Sequence, residues 1–237
     1  MKKIELLAPA GSKEAFTAAI NAGANAVFMA GHKYGARAFA ENFTEDDLKD
    51  AITYAHLRGV AVFIVVNTLT FDNEVEELLK YTDFLVQNNV DALIVQDIGL
   101  ISLFCNRYPD TAIHASTQVN AHNINHIKFL KGLGVKRVIL ARETSLEVIK
   151  EIKEKIDIEI EVFIHGALCY SYSGQCLMSS MFGGRSGNRG RCAQPCRMPY
   201  ALGTNDKAKY IISPKDICSL DLIPDLMDTG IDSFKIE

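Results

Sequence analysis

The chain alternates short apolar runs, rich in β-branched residues, with longer amphipathic segments over its first 166 residues. The apolar runs are IELLAP (4–9), AVFMAG (26–31), AVFIVVNTLT (61–70), ALIVQD (92–97), AIHASTQVN (112–120), RVILARE (137–143) and IEIEVFIHG (158–166). Near-continuous apolar strands separated by amphipathic helices are typical of a parallel sheet covered by helices. The pattern therefore predicts an α/β protein built from successive strand–helix units.

After residue 166 the alternation is interrupted by residues 167–209, here called the cysteine segment, which is rich in cysteine, glycine and arginine. It resumes with YIISP (210–214), a helical DLIPDLMDTG and a final SFKIE (233–237). We interpret SFKIE as an eighth strand and YIISP as an extra strand or a lead-in. This favours a TIM-type (β/α)8 barrel, with an insertion after strand 7, over a doubly wound sheet.

Length and composition fit one domain over residues 1–237. Because no helix follows SFKIE, we expect either a barrel that is incomplete at its C-terminus or the N-terminal part of a longer protein. The start, MKKIELLAPAG, lacks the long apolar region of a secretory signal, and no window is apolar enough for a membrane helix. We therefore expect a cytoplasmic protein without a membrane partner.

The charge distribution is uneven. The net charge is −4, which by itself argues weakly against a broad nucleic-acid-binding surface. Residues 162–205, however, contain Arg185, Arg189, Arg191 and Arg197 and no Asp, Glu or Lys. Glycine-interleaved arginines either bind phosphate or carboxylate groups or simply solvate an exposed loop, and we favour anion binding.

Four cysteines of the cysteine segment are candidate metal ligands. Cys169, Cys176, Cys192 and Cys196 are separated by six, fifteen and three residues. Only the second pair has the tight spacing of a zinc knuckle, so the spacing fits an iron–sulfur cluster somewhat better than structural zinc. In the reducing cytoplasm, clustered thiols more often serve metal or redox chemistry than disulfides. The alternative is that Cys169 and Cys176 are small buried hydrophobes.

Polar side chains follow most of the predicted strands. In a barrel these strand ends converge on one face, where active sites form. Each residue taken alone reads as a structural side chain, but the set exceeds what packing needs. The set comprises Asn67, Gln96, Asp97, His114, Ser116, Gln118, Arg142, Glu143, His165, Lys235 and Glu237, while Glu161 lies within the strand EVFIHG. Strand alternation predicts that Glu161, Phe163 and His165 share one side of their strand.

No standard protease motif is present, since both HExxH and GxSxG are absent, and no strand precedes a nucleotide-binding glycine loop. Several segments nevertheless resemble the collagenase-like peptidase family, family U32: LLAPAG, GANAVFMAG, HASTQVNA, ILARE and EVFIHGALCYSYSGQCLMSS. The last contains the family signature E-x-F-x-x-G-[SA]-x-C-x6-C-x-x-S. The matching residues are Glu161, Phe163, Gly166, Ala167, Cys169, Cys176 and Ser179.

The resemblance covers nearly the whole chain and implies more than one activity. The family includes assigned proteases and proteins that take part in hydroxylation of transfer RNA, ribosomal RNA or a ubiquinone precursor, some of them with prephenate. It also implies a four-iron cluster on Cys169, Cys176, Cys192 and Cys196. One branch of the family takes its last cysteine elsewhere, so Cys218 is the alternative fourth ligand.

Three functions follow as hypotheses. The first is an iron–sulfur-dependent hydroxylase that modifies tRNA or rRNA, or a small molecule, with prephenate as a candidate co-substrate. Its catalytic residues would be His114, Glu161 and His165. Its substrate-binding residues would be Asn67, Gln118, Arg142, Glu143, Arg189, Arg191 and Glu237. The second is a peptidase acting on protein substrates, and the third is a non-catalytic scaffold; the oligomeric state is left open.

Overall fold

The computed structural model describes residues 3–203 and 207–237, so positions 204–206 of the cysteine segment lie outside the described residues. The strands are β1 (Glu5–Pro9), β2 (Ala26–Met29), β3 (Ala61–Val66), β4 (Ala92–Val95), β5 (Ala112–Ala115), β6 (Arg137–Ile139), β7 (Glu159–Gly166), β8 (Ile217–Cys218) and β9 (Ser233–Ile236). The α-helices are α1 (Lys13–Asn21), α2 (Glu45–His56), α3 (Val75–Gln87), α4 (Ile98–Arg107), α5 (Ile124–Gly132), α6 (Leu146–Lys155), α7 (Met178–Gly183) and α8 (Ile223–Asp228).

Strands β1 to β7 pair in chain order, all parallel, and β9 lies between β7 and β1. The pairing of β9 with both neighbours closes the sheet, so the predicted TIM-type (β/α)8 barrel is confirmed. SFKIE forms the eighth barrel strand, and the cysteine segment is inserted after β7 as predicted. The short β8 pairs antiparallel with the end of β7, outside the parallel cylinder.

Local sequence signals explain where the first helices begin and end. The Ser12 side chain accepts a hydrogen bond from the Ala15 amide at the start of α1. Thr44 and Asp47 form a reciprocal capping box at the start of α2. Such caps satisfy amide groups that have no partner within the helix. Gly23, with φ +92°, follows α1 in the left-handed conformation that glycine adopts without strain.

Two apolar cores result from strand alternation. The larger lies between the outer faces of the strands and the helices and includes Leu48, Leu93 and Ile101. The smaller lies inside the barrel and includes Leu7 and Phe63. Because the barrel interior is filled, ligands can reach it only from its ends.

The interpretation of YIISP (210–214) as an extra strand is wrong. Tyr210 and Ile211 are 67% and 47% exposed and belong to no strand. The preceding Lys209 forms only an isolated antiparallel bridge with Tyr200, so no sheet edge covers the apolar residues that follow. The additional strand is instead β8, which begins seven residues after Tyr210 and pairs with the end of β7.

The cysteine segment crosses the C-terminal end of the barrel, here called the mouth. At the β3–α3 loop, the Leu69 amide donates to the Asn188 carbonyl at 3.0 Å. At the β2–α2 loop, the Ala38 amide donates to the Gly190 carbonyl at 3.0 Å. Gly190 is required there, because a Cβ atom would lie 2.3 Å from the Gly35 carbonyl oxygen.

None of the helices in the described part of the chain is long and apolar enough to cross a membrane.

Candidate active site at the barrel mouth

The upper interior of the barrel contains two buried polar side chains with unpartnered atoms. Gln96 follows β4 and His114 lies on β5, and the two are 5% and 2% exposed. Gln96 Oε1 and His114 Nδ1 make no hydrogen bond to any part of the chain that the structure describes. Buried polar atoms are nearly always paired, so these two atoms identify a place where a ligand or water completes the site.

The environment of His114 keeps its imidazole neutral. The ring packs edge-on against Phe63, with the ring centres 4.8 Å apart. Burial, followed by the positive charges of Arg137, Lys235 and Lys136, lowers the pKa of His114 well below 6.5. A neutral imidazole has one N–H donor and one acceptor. His114 can therefore hydrogen-bond a ligand at neutral pH without contributing a charge.

Lys235, predicted from its strand end to lie at the mouth, lies in the middle of the barrel beside Glu161. Glu161 is fully buried and accepts hydrogen bonds from Lys235 Nζ at 3.0 Å and Arg137 Nη1 at 3.1 Å. Arg137 also pairs with Glu5 and Glu159. Burial alone would lower the pKa of Arg137, but the bond to Glu5 and the charge of Glu161 raise it. Glu161, predicted to be catalytic, thus belongs to a fully ion-paired interior network.

His165 does not share the side of Glu161 and Phe163, so the prediction from strand alternation is wrong. The pairing of β7 with β9 shifts register between Phe163 and His165, which places His165 opposite Ile236. An inserted residue of this kind reverses the side on which later residues lie. His165 is exposed and lies opposite Cys218 in the antiparallel pairing of β7 and β8.

Two arginines converge on one carboxylate at the mouth. Glu237 accepts hydrogen bonds from Arg142 and Arg37, each at 2.5 Å. The Arg142 guanidinium lies 3.8 Å from the centre of the Phe163 ring, and its Nε atom is buried without a partner. Gly166 makes room for Glu237, since a Cβ atom there would lie 2.4 Å from the Cβ of Glu237.

A cavity of about 250 Å³ opens beside Arg142. Its wall comes from the ends of β6 and β7, from α6 and α8, and from β8, with Leu140, Ile149 and Leu226 among its apolar lining residues. Arg142 and Ser219 are polar groups in this lining. The cavity therefore combines apolar walls with the polar side chains of Arg142 and Ser219.

Three predicted substrate-binding residues hold the loops of the mouth in place. Asn67 Oδ1 accepts the Ala36 amide at 2.9 Å, one residue before Arg37. The Gln118 carbonyl accepts the Gln175 side chain at 3.3 Å. Glu143 accepts the Ser173 hydroxyl at 3.4 Å. Asn67, Gln118 and Glu143 thus fix the loops and the cysteine segment around the mouth.

The arginines of the cysteine segment differ in their partners. Arg189 forms a bidentate pair with Glu74 at 2.6 and 2.8 Å and also donates to the Leu69 carbonyl. The hydrogen bond from Arg189 lowers the pKa of Glu74 to about 2. Arg191 has an exposed side chain. Arg189 is therefore an anchor that is neutralised by an acid 115 residues away, which the local sequence does not reveal.

Cys196 lies close enough to the other three predicted ligands for their charges to act on its thiol. Burial, followed by the charge of Cys169, raises the pKa of Cys196, and Cys192 and Cys176 act in the same direction. Gly187 lies 3.6 Å from the Cys176 carbonyl and 3.7 Å from the Cys192 Cβ, both measured from its ideal Cβ position.

Backbone contacts support this arrangement. The Ala193 amide donates to the buried Ser179 hydroxyl at 2.9 Å, and Arg197 donates to the Leu168 carbonyl at 3.1 Å. The Met178 amide donates to Cys176 Sγ at 3.3 Å, and the Gln194 amide donates to Cys192 Sγ at 3.4 Å. The first two bonds join residues near Cys169 and Cys176 to residues next to Cys192 and Cys196. In the last two bonds the acceptor is a cysteine sulfur.

All six cysteines are free thiols. Across residues 3–203 and 207–237, no group of three or more His, Cys, Asp or Glu side chains is arranged to hold a metal ion. Cys105 lies on α4, packed beside Gly134, as expected for a core cysteine. Cys218 is exposed on β8.

One residue of the mouth was missed by sequence reasoning. Arg37 lies on the β2–α2 loop and reaches Glu237, which is 200 residues away in the sequence. No periodic pattern or motif surrounds it, so only the closed barrel brings these two side chains together.

Comparison with known proteins gives consistent results. Residues 11–237 match the sequence model of peptidase family U32. The chain is 42% identical over 248 residues to tRNA hydroxylation protein P1 of Bacillus subtilis strain 168, covering 100% of this chain and 58% of that protein. It is 40% identical over 240 residues to the 23S rRNA 5-hydroxycytidine C2501 synthase of Escherichia coli K12, covering 99% and 36%. It is 33% identical over 252 residues to a collagenase of Porphyromonas gingivalis, covering 98% and 60%.

Solved structures share the fold at low sequence identity. A U32 peptidase superposes with a TM-score of 0.69 at 13% identity, covering 100% of this chain and 93% of that one. The putative copper homeostasis protein CutC of Streptococcus agalactiae superposes with a TM-score of 0.61 at 14% identity, covering 99% and 98%. The chain spans 36% to 61% of the length of the first three curated relatives. With a closed barrel, a cysteine segment over its mouth and a match over residues 11–237, the chain belongs to peptidase family U32.

Proposed function

We propose that the chain is the barrel of an enzyme that hydroxylates tRNA or rRNA in the cytoplasm and carries a four-iron cluster on Cys169, Cys176, Cys192 and Cys196. The observation that carries the proposal is the position of the cysteine segment over a mouth with unpartnered buried groups. The names of the relatives support RNA hydroxylation as the reaction class.

The donor set suits a cluster better than a single ion. Four thiolates bound to one zinc at about 2.3 Å would bring their sulfurs to about 3.8 Å from one another. Only Cys192 and Cys196 have the tight sequence spacing of a zinc knuckle. A four-iron cluster is a larger body in which each iron takes one thiolate, so wider spacing fits it. Structural zinc is therefore the weaker alternative. When bound, the cluster would supply electron-transfer chemistry.

The chain's own residues would bind and orient the reactants. Arg142 and Arg37 both donate to the Glu237 carboxylate. A prephenate co-substrate would offer a carboxylate of the same kind, which would bind these two guanidinium groups by replacing Glu237. His114 and Gln96 would hydrogen-bond the part of the ligand that enters the barrel. Glu161 would act indirectly, because it balances the cations that lie beneath the site.

The test is anaerobic purification of the full-length protein with iron and sulfide analysis. The wild type should be brown, with iron and sulfide in proportion to protein, and Cys192→Ser should lose most of both because a ligand is missing. Cys105→Ala is the matched control, since its thiol lies on α4 within the core, and it should keep the cluster. Modified nucleosides from cells without the gene, complemented with each variant, then report hydroxylation.

A colourless, iron-free wild type from that preparation would contradict the cluster. An unchanged set of modified nucleosides in cells without the gene would contradict RNA hydroxylation. These two outcomes are independent, so each part of the proposal can fail alone.

A peptidase is the second candidate. Its support is a relative named collagenase and the position of exposed Cys218 opposite exposed His165. Directly opposed residues have Cβ atoms about 4.5–5.5 Å apart, and a thiol beside an imidazole is a nucleophile with its base. Peptide cleavage by the same preparations that is lost in Cys218→Ala would favour this function over the first.

A further inference from the structure

Most of the exposed aromatic side chains lie on the cysteine segment or on the two barrel loops that it contacts. Among the described residues, the large aromatic side chains with high exposure are Phe39, Phe71, Phe129, Tyr170, Tyr172, Phe182 and Tyr210. Tyr170, Tyr172 and Phe182 belong to the cysteine segment. Phe129 lies on α5, in the outer helix layer. Exposed aromatic groups gathered in this way indicate a binding surface.

Arginines of the cysteine segment hold two further rings at the rim of the mouth. The Arg185 guanidinium lies 4.6 Å from the centre of the Phe39 ring, and that of Arg189 lies 4.4 Å from the centre of the Phe71 ring. Both rings remain more than half exposed, at 69% and 63%. Each arginine covers one part of its ring and leaves the rest available for a ligand.

The charges of this face favour an anionic partner. The cysteine segment contains no Asp or Glu between residues 167 and 205, and its Arg191 is exposed. Lys207 and Lys209, also exposed, follow the undescribed positions. Acidic residues adjoin the two phenylalanines, Glu41 near Phe39 and Asp72 beside Phe71. Phosphate groups would therefore contact the cysteine segment, while the phenylalanine rings would contact bases.

We infer that Phe39, Phe71, Tyr170, Tyr172 and Phe182 form an aromatic collar that stacks on unpaired nucleotides of an RNA substrate beside the mouth. The inference rests on the proposed function and specifies its substrate as single-stranded RNA. Bases of a duplex are already stacked and paired, so exposed rings can reach only unpaired ones. An apolar protein partner would require no basic groups beside the rings.

The experiment measures binding of a fluorescent twelve-nucleotide single-stranded RNA of mixed sequence to the full-length protein, with the matching blunt duplex as competitor. Phe182→Ala and Tyr172→Ala should each weaken single-strand binding about five- to 150-fold, the range expected for loss of one base–aromatic stack. Phe182→Tyr keeps the ring and should bind like the wild type. Phe129→Ala removes a ring that is 51% exposed on the helix layer, away from the cysteine segment, and should change nothing.

Phe182→Leu separates stacking from apolar contact. Leucine keeps the apolar character of the side chain but has no π-face, so Phe182→Leu should bind as weakly as Phe182→Ala. Full affinity in Phe182→Leu, or a duplex that binds as tightly as the single strand, would overturn the inference. A second outcome separates this inference from the proposed function. If only the collar variants bind weakly, and the modified nucleosides are unchanged in cells without the gene, the collar is supported and the proposed hydroxylation is contradicted.

Discussion

Buried polar groups are paired in the middle of the barrel, whereas two of those towards its mouth are not. In the middle, Glu161 is fully buried, yet both Lys235 and Arg137 donate to it. In the upper interior, towards the mouth, the Nδ1 atom of His114 and the Oε1 atom of Gln96 are buried without partners among the described residues. The difference separates two roles, because a satisfied network stabilises one arrangement of strands, whereas unpaired groups are kept only where a ligand or water pairs with them.

The cysteine segment extends this contrast to the surface. Cys169, Cys192 and the rings of Tyr170, Tyr172 and Phe182 are exposed on it, and it is held to the rim by a few contacts, among them Arg189 with Glu74 and Gly190 with Ala38. We therefore expect stability to depend most on the interior network and least on the contacts at the rim.

The largest effect is expected from Lys235→Met. This change leaves Glu161 with Arg137 alone, and breaking a buried ion pair by removing one partner costs about 3–5 kcal/mol of unfolding free energy. Urea denaturation measures the loss. The double variant Lys235→Met/Glu161→Leu removes both charges and should recover much of it. A loss below about 1 kcal/mol in the single variant would mean that the network does not stabilise the barrel.

A smaller effect is expected from Gly190→Ala. The new Cβ atom would meet the Gly35 carbonyl oxygen at a φ of +73°, so we expect a cost of about 2–3 kcal/mol and faster hydrogen exchange at the Ala38 amide. Gly184→Ala is the matched control, with a φ of +64° and nothing within 4 Å of its Cβ position. The control should cost only about 1 kcal/mol. Equal exchange rates at Ala38 in both variants would show that Gly190 does not anchor the segment.

The smallest effect concerns the bond between Arg189 and Glu74. The hydrogen bond from Arg189 lowers the pKa of Glu74 from 4.5 to about 2. Glu74 therefore contributes stability above pH 4.5 that is lost as the pH falls towards 2. Because the pair is partly exposed, Arg189→Gln should reduce the unfolding free energy by about 1 kcal/mol or less at pH 7. The difference from wild type should shrink in urea titrations at pH 3. A difference that does not change with pH would exclude this ionic contribution.

Much of the fold was predictable because it depends on local periodicity. Eight apolar runs became the eight barrel strands, and the caps at Ser12 and Thr44 mark the starts of their helices. YIISP was misread for the same reason, since a short apolar run forms a strand only where a sheet edge is free to pair with it. The single inserted residue that turns His165 outward could not be predicted from the sequence either, because it depends on the pairing of β7 with β9.

The candidate site was predictable only in its residue types. Strand ends drew attention to His114 and Arg142, and the spacing of Cys169 to Cys196 drew attention to the cysteine segment. The sequence did not predict which of these groups already have partners. Arg189 is neutralised by Glu74 and Arg142 is held by Glu237, and both acids are distant in the sequence.

The sequence by itself determined the order of strands and helices, the place of the insertion and the chemical groups it carries. Only the tertiary structure decided that Glu161 is paired in the interior, that His165 faces outward and that Arg37 meets Glu237. The physical reason is distance along the chain. Periodicity depends on residues that are close in the sequence. Ion pairs, in contrast, form between residues up to 200 positions apart and depend on how the barrel closes.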